Sequence, residues 1–324
     1  MAVYTHITAA QLSDFLKGYD LGTLVSFEGI AQGVSNTNYH VFTDQGRFIL
    51  TLFEERRVKA EDLPFFFAFS DHLSQRGIQT PRALPDRNGR SFGMLAERAA
   101  TFLNFLPGKD IPKVQLTADH CASFGEGLAR MHLASEGFDL KRKNSMGPER
   151  WQVLAEKTAG GADRFEPGLR AFIAEELQML MASWPTMEEA PIPVGAIHAD
   201  LFPDNIFFLD GRMNAVIDFY FSCTDFYAYD LAISINAWCF TPDHRFSPER
   251  YRALMGSYLG VRALSDEERR LLPLLCRGAA LRILLSRLEE TLEHDPEKTL
   301  MIPHDPGEYL TKLRFHQVEG LPRV

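Results

Sequence analysis

Four side chains near the middle of the chain have the types and spacing of a reaction centre. They are His198, Asp200, Asn205 and Asp218, within "VGAIHADLFPDNIFFLDGRMNAVIDFYFS" at residues 194–222. A carboxylate set beside apolar runs is costly unless something pairs it. An Asn oxygen and an Asp carboxylate are hard ligands of the kind Mg2+ takes when it also binds nucleotide phosphates. A further carboxylate can accept the proton of an attacking hydroxyl. These are the parts needed for phosphoryl transfer from ATP.

The local pattern supplies a way to assemble them. Pro203 and Asp204-Asn205 favour a turn. "IFFLD" and "NAVIDFY" read as two strands hinged at Gly211, with Asp218 closing the second. A hairpin brings its outer ends together, so Asn205 and Asp218 are expected to meet, with Asp200 at the mouth of the same cleft.

Upstream, "TLVSFEGI", "TNYHVFTD" and "RFILTLFEE" carry strand signals, with hairpin chemistry at Asp44-Gln45-Gly46. "AEDLPFFFAFSDHLSQRG" reads as a helix stopped by Gly77, and "TPRALPDRNGRSFGMLAERA" as two strands around Asn88-Gly89. Thr8 and Gln11 form a capping box for a short first helix. After a linker at residues 99–107 the pattern turns helical. "LTADHCASFGEGLARMHLASEGF" has Thr117 as N-cap, and residues 165–184 and 248–292 continue the helical periodicity. The expected class is α+β: a small antiparallel β-rich lobe over residues 1–98 and a larger, mainly helical lobe over residues 99–324.

The chain has 324 residues, long enough for two lobes, with ordinary globular composition at 45% hydrophobic and 24% charged. A net charge of −9 argues against a broad nucleic-acid or anionic-membrane surface. Four scattered cysteines form no CxxC pair and fit a reducing compartment. The first residues lack the basic start and apolar run of a signal peptide, and no run approaches a membrane span, so a cytoplasmic location is expected.

The spacing His198-x-Asp200-x₄-Asn205, followed by an apolar residue, Asp218 and Phe219, resembles the catalytic and metal loops of the protein-kinase-like superfamily. His-Ala-Asp-Leu-Phe-Pro-Asp-Asn and Ile-Asp-Phe-Tyr are similar to its aminoglycoside phosphotransferase branch. With "GVSNTNYHVFT", "GRFILTLFE" and "DLAISINAWCF" the chain resembles, within that branch, the bacterial homoserine kinases, over residues 24–290. The resemblance implies a two-lobed fold using ATP and Mg2+, with Asp200 as base, Asn205 and Asp218 as metal ligands, and His198 shaping the loop. It implies a phosphate-covering turn over Gly29–Asn38, with Gly29, Gly33, Ser35, Asn36 and Asn38 as donors, and adenine contacts from the backbone near Glu97–Ala99. The usual strand lysine is absent, with Thr51 in its place, which leaves Arg56 or Arg57 as possible phosphate partners.

For an acceptor such as L-homoserine, with an ammonium, a carboxylate and a hydroxyl, Asp225 and Asp230 are candidates for the ammonium. Tyr220 and Asn236 could add polar contacts, and Arg282 could hold the carboxylate, since arginine binds carboxylates bidentately. Each has a plainer reading: Asp230 as a helix N-terminal charge, Arg282 as the partner of Glu289, and His132 and Trp238 as packed core. The HDP runs at 294–296 and 304–306 read as turns. Competing activities are a kinase of another small alcohol (choline or ethanolamine, methylthioribose, an aminoglycoside), a metal-dependent phosphohydrolase, or a non-catalytic nucleotide-binding module.

Overall fold

The computed structural model describes residues 5–30, 36–54, 58–187, 191–295 and 303–322. It divides into two compact units, residues 1–108 with 215–220, and residues 109–214 with 221–324.

The first unit starts with α1 (Ala9–Leu16), whose Thr8/Gln11 capping box forms as the sequence implies. β1 (Leu24–Gly29), β2 (Thr37–Thr43) and β3 (Gly46–Leu52) follow as an antiparallel meander. α2 (Leu63–Gln75) carries a proline in its first turn, where a missing N–H costs nothing. Then come β4 (Ala83–Leu84), β5 (Gly93–Leu95) and β6 (Arg98–Asn104). The sheet order is β1-β2-β3-β6-β4, with β5 also on β6. Tyr39, Val41, Leu50, Leu52 and Phe102 face one core with Leu12 and Leu16 of α1.

Two expectations change here. The turn at Asn88-Gly89 exists, with Gly89 at φ +79, but its flanking strands β4 and β5 each pair with β6 and not with each other. β6 itself occupies most of the stretch read as a linker. Its five inner residues are buried because it lies between β3 and the β4 and β5 strands, so it shows no alternation to read. The chain therefore leaves the first unit at Gly108, not after residue 98. Residues 215–220 return to this unit, where the Val216 N–H donates to the Gln79 carbonyl at 3.0 Å.

The second unit contains α3 (Ala118–Ala134), α4 (Pro148–Phe165), α5 (Leu169–Ser183), β7 (Val194–Ile197), the hairpin β8 (Ile206–Leu209) and β9 (Arg212–Val216), and β10 (Cys223–Phe226). The last residues of β9 belong to the first unit. α6 (Tyr227–Trp238), α7 (Pro248–Leu259), α8 (Asp266–Glu293) and α9 (Pro306–Val318) complete it. Thr117 caps α3 as expected. β7 and β10 pair antiparallel, a partnership four-residue strands do not announce. The second HDP run is not a loop: Asp305 caps α9 by accepting from the Gly307 N–H, and Pro306 fills its first turn. No helix among the described residues is long and apolar enough to cross a membrane.

Two contacts hold this unit's helices together. A Cβ on Gly125 of α3 would come within 2.2 Å of the Leu254 carbonyl on α7, so only glycine permits that approach. Gly125→Ala is expected to lower stability by about 1–3 kcal/mol through overpacking, measured by urea unfolding. On α9, Lys312 is wholly buried against Glu308 and the ring of Tyr309. Burial pushes its ammonium down from 10.5 to about 7, against the pull of Glu308. From pH 7 to 10.5 the folded chain has shed a proton that the unfolded chain keeps, so this group makes stability rise with pH there. Lys312→Met should flatten that rise, measured as unfolding midpoints at pH 7 and pH 9.

Candidate active site

The 194–205 segment leaves β7 and enters its functional loop through a backbone that is held from two sides. Ala199 sits at φ +62, a left-handed conformation unfavourable for a residue with a Cβ. Its N–H donates to Asp230 Oδ1 at 2.8 Å, and its carbonyl accepts from Arg282 Nη1 at 2.7 Å. The N–H of His198, whose side chain is fully buried, donates to Asp230 Oδ2 at 3.0 Å. The next residue, Asp200, is half-buried. Its carbonyl and its Oδ2 both accept from Asn205 Nδ2, at 2.8 and 3.1 Å. Pro203–Asn205 is a single tight helical turn, which returns the Asn205 amide to Asp200. Because the Asn205 amide nitrogen is engaged there, its Oδ1 is the atom left to meet a cation.

Asp230 opens α6 and is completely buried. Burial pushes its carboxyl up, but the bonds from His132 and from the loop amides outweigh this and hold it below the ordinary range. His132 on α3 lies 3.3 Å from Asp230 Oδ2 through Nε2 and 2.8 Å from the Tyr258 hydroxyl through Nδ1. Arg262 Nη1 donates to that hydroxyl at 3.0 Å, and Arg262 Nη2 pairs with Glu268 at 2.9 Å. Arginine cannot accept a proton, so the phenol must give its hydrogen to His132 Nδ1. The imidazole is then the Nε2–H tautomer, donating to Asp230. Burial lowers the His132 pKa, consistent with a neutral ring. Glu268 belongs to the capping box of α8 with Ser265. A chain of hydrogen bonds therefore links the start of α8 to the loop that carries Asp200, with donation running from Arg262 through Tyr258 and His132 to Asp230.

Several expected site residues lie elsewhere in role. Asp230 is wholly buried and faces three internal donors, the His198 and Ala199 N–H groups and His132 Nε2, so it holds the loop and is not placed to meet a substrate ammonium. Asn236 is wholly buried, donating to the Cys276 carbonyl at 2.9 Å and meeting His316 Nε2 at 2.6 Å, so it ties α6 to α8 and α9. Tyr220 packs in the first unit against Phe53 and Phe66. Arg282 is not the partner of Glu289, which pairs with Arg150 and Lys157. Trp238 is core: its indole N–H donates to the Leu201 carbonyl and its ring stacks on Phe124 at 4.1 Å.

In the first unit, Gly29 ends β1 and is exposed. Asn36 is buried, its Oδ1 accepting the Glu54 N–H at 3.2 Å. Asn38 Oδ1 accepts from the hydroxyl of Thr51, the residue at the missing-lysine position, at 2.7 Å. Gly33, Ser35, Arg56 and Arg57 lie outside the described residues. Glu97 and Ala99 do not form a linker. Glu97 is exposed in the tight β5–β6 turn at φ +60, and the Ala99 carbonyl is engaged by the Phe53 N–H at 2.8 Å. Asp218 does not close β9, which ends at Val216. It follows at φ +64, the left-handed region, in the part of the chain assigned to the first unit.

Sequence reasoning missed Glu54, a buried carboxylate that accepts from Thr5 Oγ1 at 2.8 Å, Thr37 Oγ1 at 3.0 Å and Arg98 Nε at 3.3 Å. It also missed Tyr258, Arg262 and Glu268, whose only sequence signal is the Ser265-x-x-Glu268 cap. Among the described residues no group of three or more His, Cys, Asp or Glu is gathered as a metal cluster.

Residues 26–311 match the model of the phosphotransferase enzyme family, and the chain belongs to that family. Among curated relatives it is 50% identical over 317 residues to a homoserine kinase of Xanthobacter autotrophicus, covering 98% of this chain and 96% of that one. It is 48% identical over 323 residues to a homoserine kinase of Azorhizobium caulinodans, covering 100% and 98%. Solved structures share the fold at low identity. A spectinomycin phosphotransferase in complex with ADP and its antibiotic superposes at TM-score 0.67 with 13% identity, covering 98% of this chain and 96% of that one. A microcompartment-associated aminopropanol kinase gives 0.65 with 18%, covering 98% and 100%.

The donor chain makes Tyr258 more than packing. Tyr258→Phe leaves His132 Nδ1 and Arg262 Nη1 buried without a partner, and a loss of about 1–3 kcal/mol in unfolding free energy is expected. Stability equal to wild type in a denaturant titration would show that the chain is not closed.

Proposed function

We infer that this chain transfers the γ-phosphoryl group of ATP to the side-chain hydroxyl of L-homoserine, giving O-phospho-L-homoserine for threonine biosynthesis. The observation that carries the reading is an Asp200–Asn205 clasp in the kinase-type loop of a chain about half identical, over nearly its full length, to curated homoserine kinases. Asp200 is the base: a half-buried carboxylate, oriented by the Asn205 amide, that accepts the proton of the attacking hydroxyl. Asp230 and Arg282 position it by pinning Ala199 on both sides. His198 acts through its backbone N–H, which helps fix the loop.

The residues present suit Mg2+. Asn205 Oδ1 and the carboxylate of Asp218 are hard oxygen donors, and they are the two that would hold it. When bound, the ion would offset charge on the phosphate oxygens. The turn after Gly29, including Gly33 and Ser35, would offer backbone donors to the phosphates. With Ala99 engaged inside the sheet, the adenine contacts are assigned instead to the backbone at residues 104–108, where the chain leaves the first unit.

ADP release with L-homoserine, choline, ethanolamine, methylthioribose and an aminoglycoside as acceptors tests the reading. Homoserine is expected to give the dominant rate. Turnover of another acceptor with none of homoserine would refute the substrate while sparing the kinase chemistry. Asp200→Ala should lower kcat by about 10²–10⁴ with nucleotide binding retained; near-normal turnover would remove Asp200 from the base role.

A further inference from the structure

Beside the loop that carries Asp200, the second unit buries two opposite charges without pairing them. Arg282 on α8 is 4% exposed. It donates to the Ala199 carbonyl and lies 5.7 Å from the Phe221 ring, and no carboxylate among the described residues is within ion-pair distance. Asp225 on β10 is 8% exposed. Its Oδ2 accepts from Asn144 Nδ2 at 2.7 Å and its Oδ1 from the Phe226 N–H at 2.8 Å, again with no described cation in ion-pair range. Burial raises the Asp225 carboxyl, and Arg282 is near enough to pull it the other way.

Burying one unpaired charge is unfavourable, and burying two of opposite sign close together while keeping them apart is stranger still. Three residues before Asp225 lies Ser222, fully buried, whose hydroxyl has no hydrogen-bond partner among the described residues. Its carbonyl accepts from Arg142 Nη1 at 3.1 Å. The Arg142 backbone is held by the Thr224 hydroxyl and N–H, at 3.1 and 2.7 Å. Arg142, Asn144, Phe221 and Thr224 are only half-buried, so this group of residues reaches solvent.

We propose that these residues form the amino-acid end of the acceptor site. Arg282 and Arg142 take the α-carboxylate, Asp225, steadied by Asn144, takes the α-ammonium, and the Ser222 hydroxyl completes the shell. A zwitterion supplies the missing partner to each buried charge at once. The guanidinium of Arg282 is fastened to the residue just before the base, which suits an acceptor with a short stem between its charged end and its hydroxyl. This rests on the reading above and adds its selectivity: alcohols lacking the carboxylate or the ammonium leave one buried charge unmatched. Arg142, Asn144 and Ser222 carry no sequence signal, because their relevance comes only from what β10 brings beside them.

The test is steady-state kinetics of Asp225→Asn and Arg142→Gln, with thermal melting to confirm folding. L-2-Aminobutyrate, homoserine without its hydroxyl, serves as a dead-end probe. Each variant should raise KM for homoserine about ten- to hundredfold, weaken inhibition by L-2-aminobutyrate in parallel, and leave KM for ATP within about twofold. Folded variants whose KM for homoserine stays within about twofold of wild type would overturn the proposal. So would variants that lose kcat and ATP affinity together, since that marks a structural role. Wild-type protein that ignores homoserine but phosphorylates another alcohol would instead fail the functional reading itself, so the two failures are distinguishable.

Discussion

The loop that carries Asp200 depends on one buried carboxylate. Asp230 accepts the N–H groups of His198 and Ala199 and the Nε2–H of His132. Without those acceptors Ala199 would have no reason to stay left-handed, and the chain direction into Asp200 would change. The cost of burying Asp230 is offset because every donor that faces it is itself oriented. The two amides come from the strand-to-loop transition after β7, and the imidazole is fixed by Tyr258 and Arg262. A satisfied polar network of this kind specifies one arrangement, since a half-satisfied one would be worse than an apolar core.

The same rule sorts the residues that could touch an acceptor. Asn236 and Asp230 are buried and polar, and the fold uses them internally, the first to tie α6 to α8 and α9 and the second to hold the loop. Arg282 and Asp225 are buried and charged, and the described structure leaves each without an ion-pair partner. Residue type near the loop does not separate Asp230 from Asp225; the number of internal donors facing each does, three against two.

Much of the architecture was legible because it rests on local chemistry. The Thr8 and Thr117 caps, the β2–β3 turn at Asp44-Gln45-Gly46, and the Gly211 hinge are set by residues within a few positions of each other. β6 was misread as a linker because a central strand buried on both faces loses its alternation. The two strands around Asn88-Gly89 were legible, but that each pairs with β6 was not, because pairing is decided by a third strand. The helix α9 was hidden because Asp305-Pro306 is equally good chemistry for a turn and for a helix start.

By itself the sequence determined the parts and their order: a carboxylate, an Asn five residues on, a hinged hairpin and a second carboxylate, between a β-rich half and a helical half. Spacing along the chain suffices for that, because a loop of fixed length can close in few ways. Only the tertiary structure decided which polar residues are free to act. That choice depends on partners supplied by α3, α7, α8 and β10, up to 126 positions away in the case of His132 and Tyr258. Buried hydrogen bonds are satisfied in space, and no local pattern encodes a partner so distant.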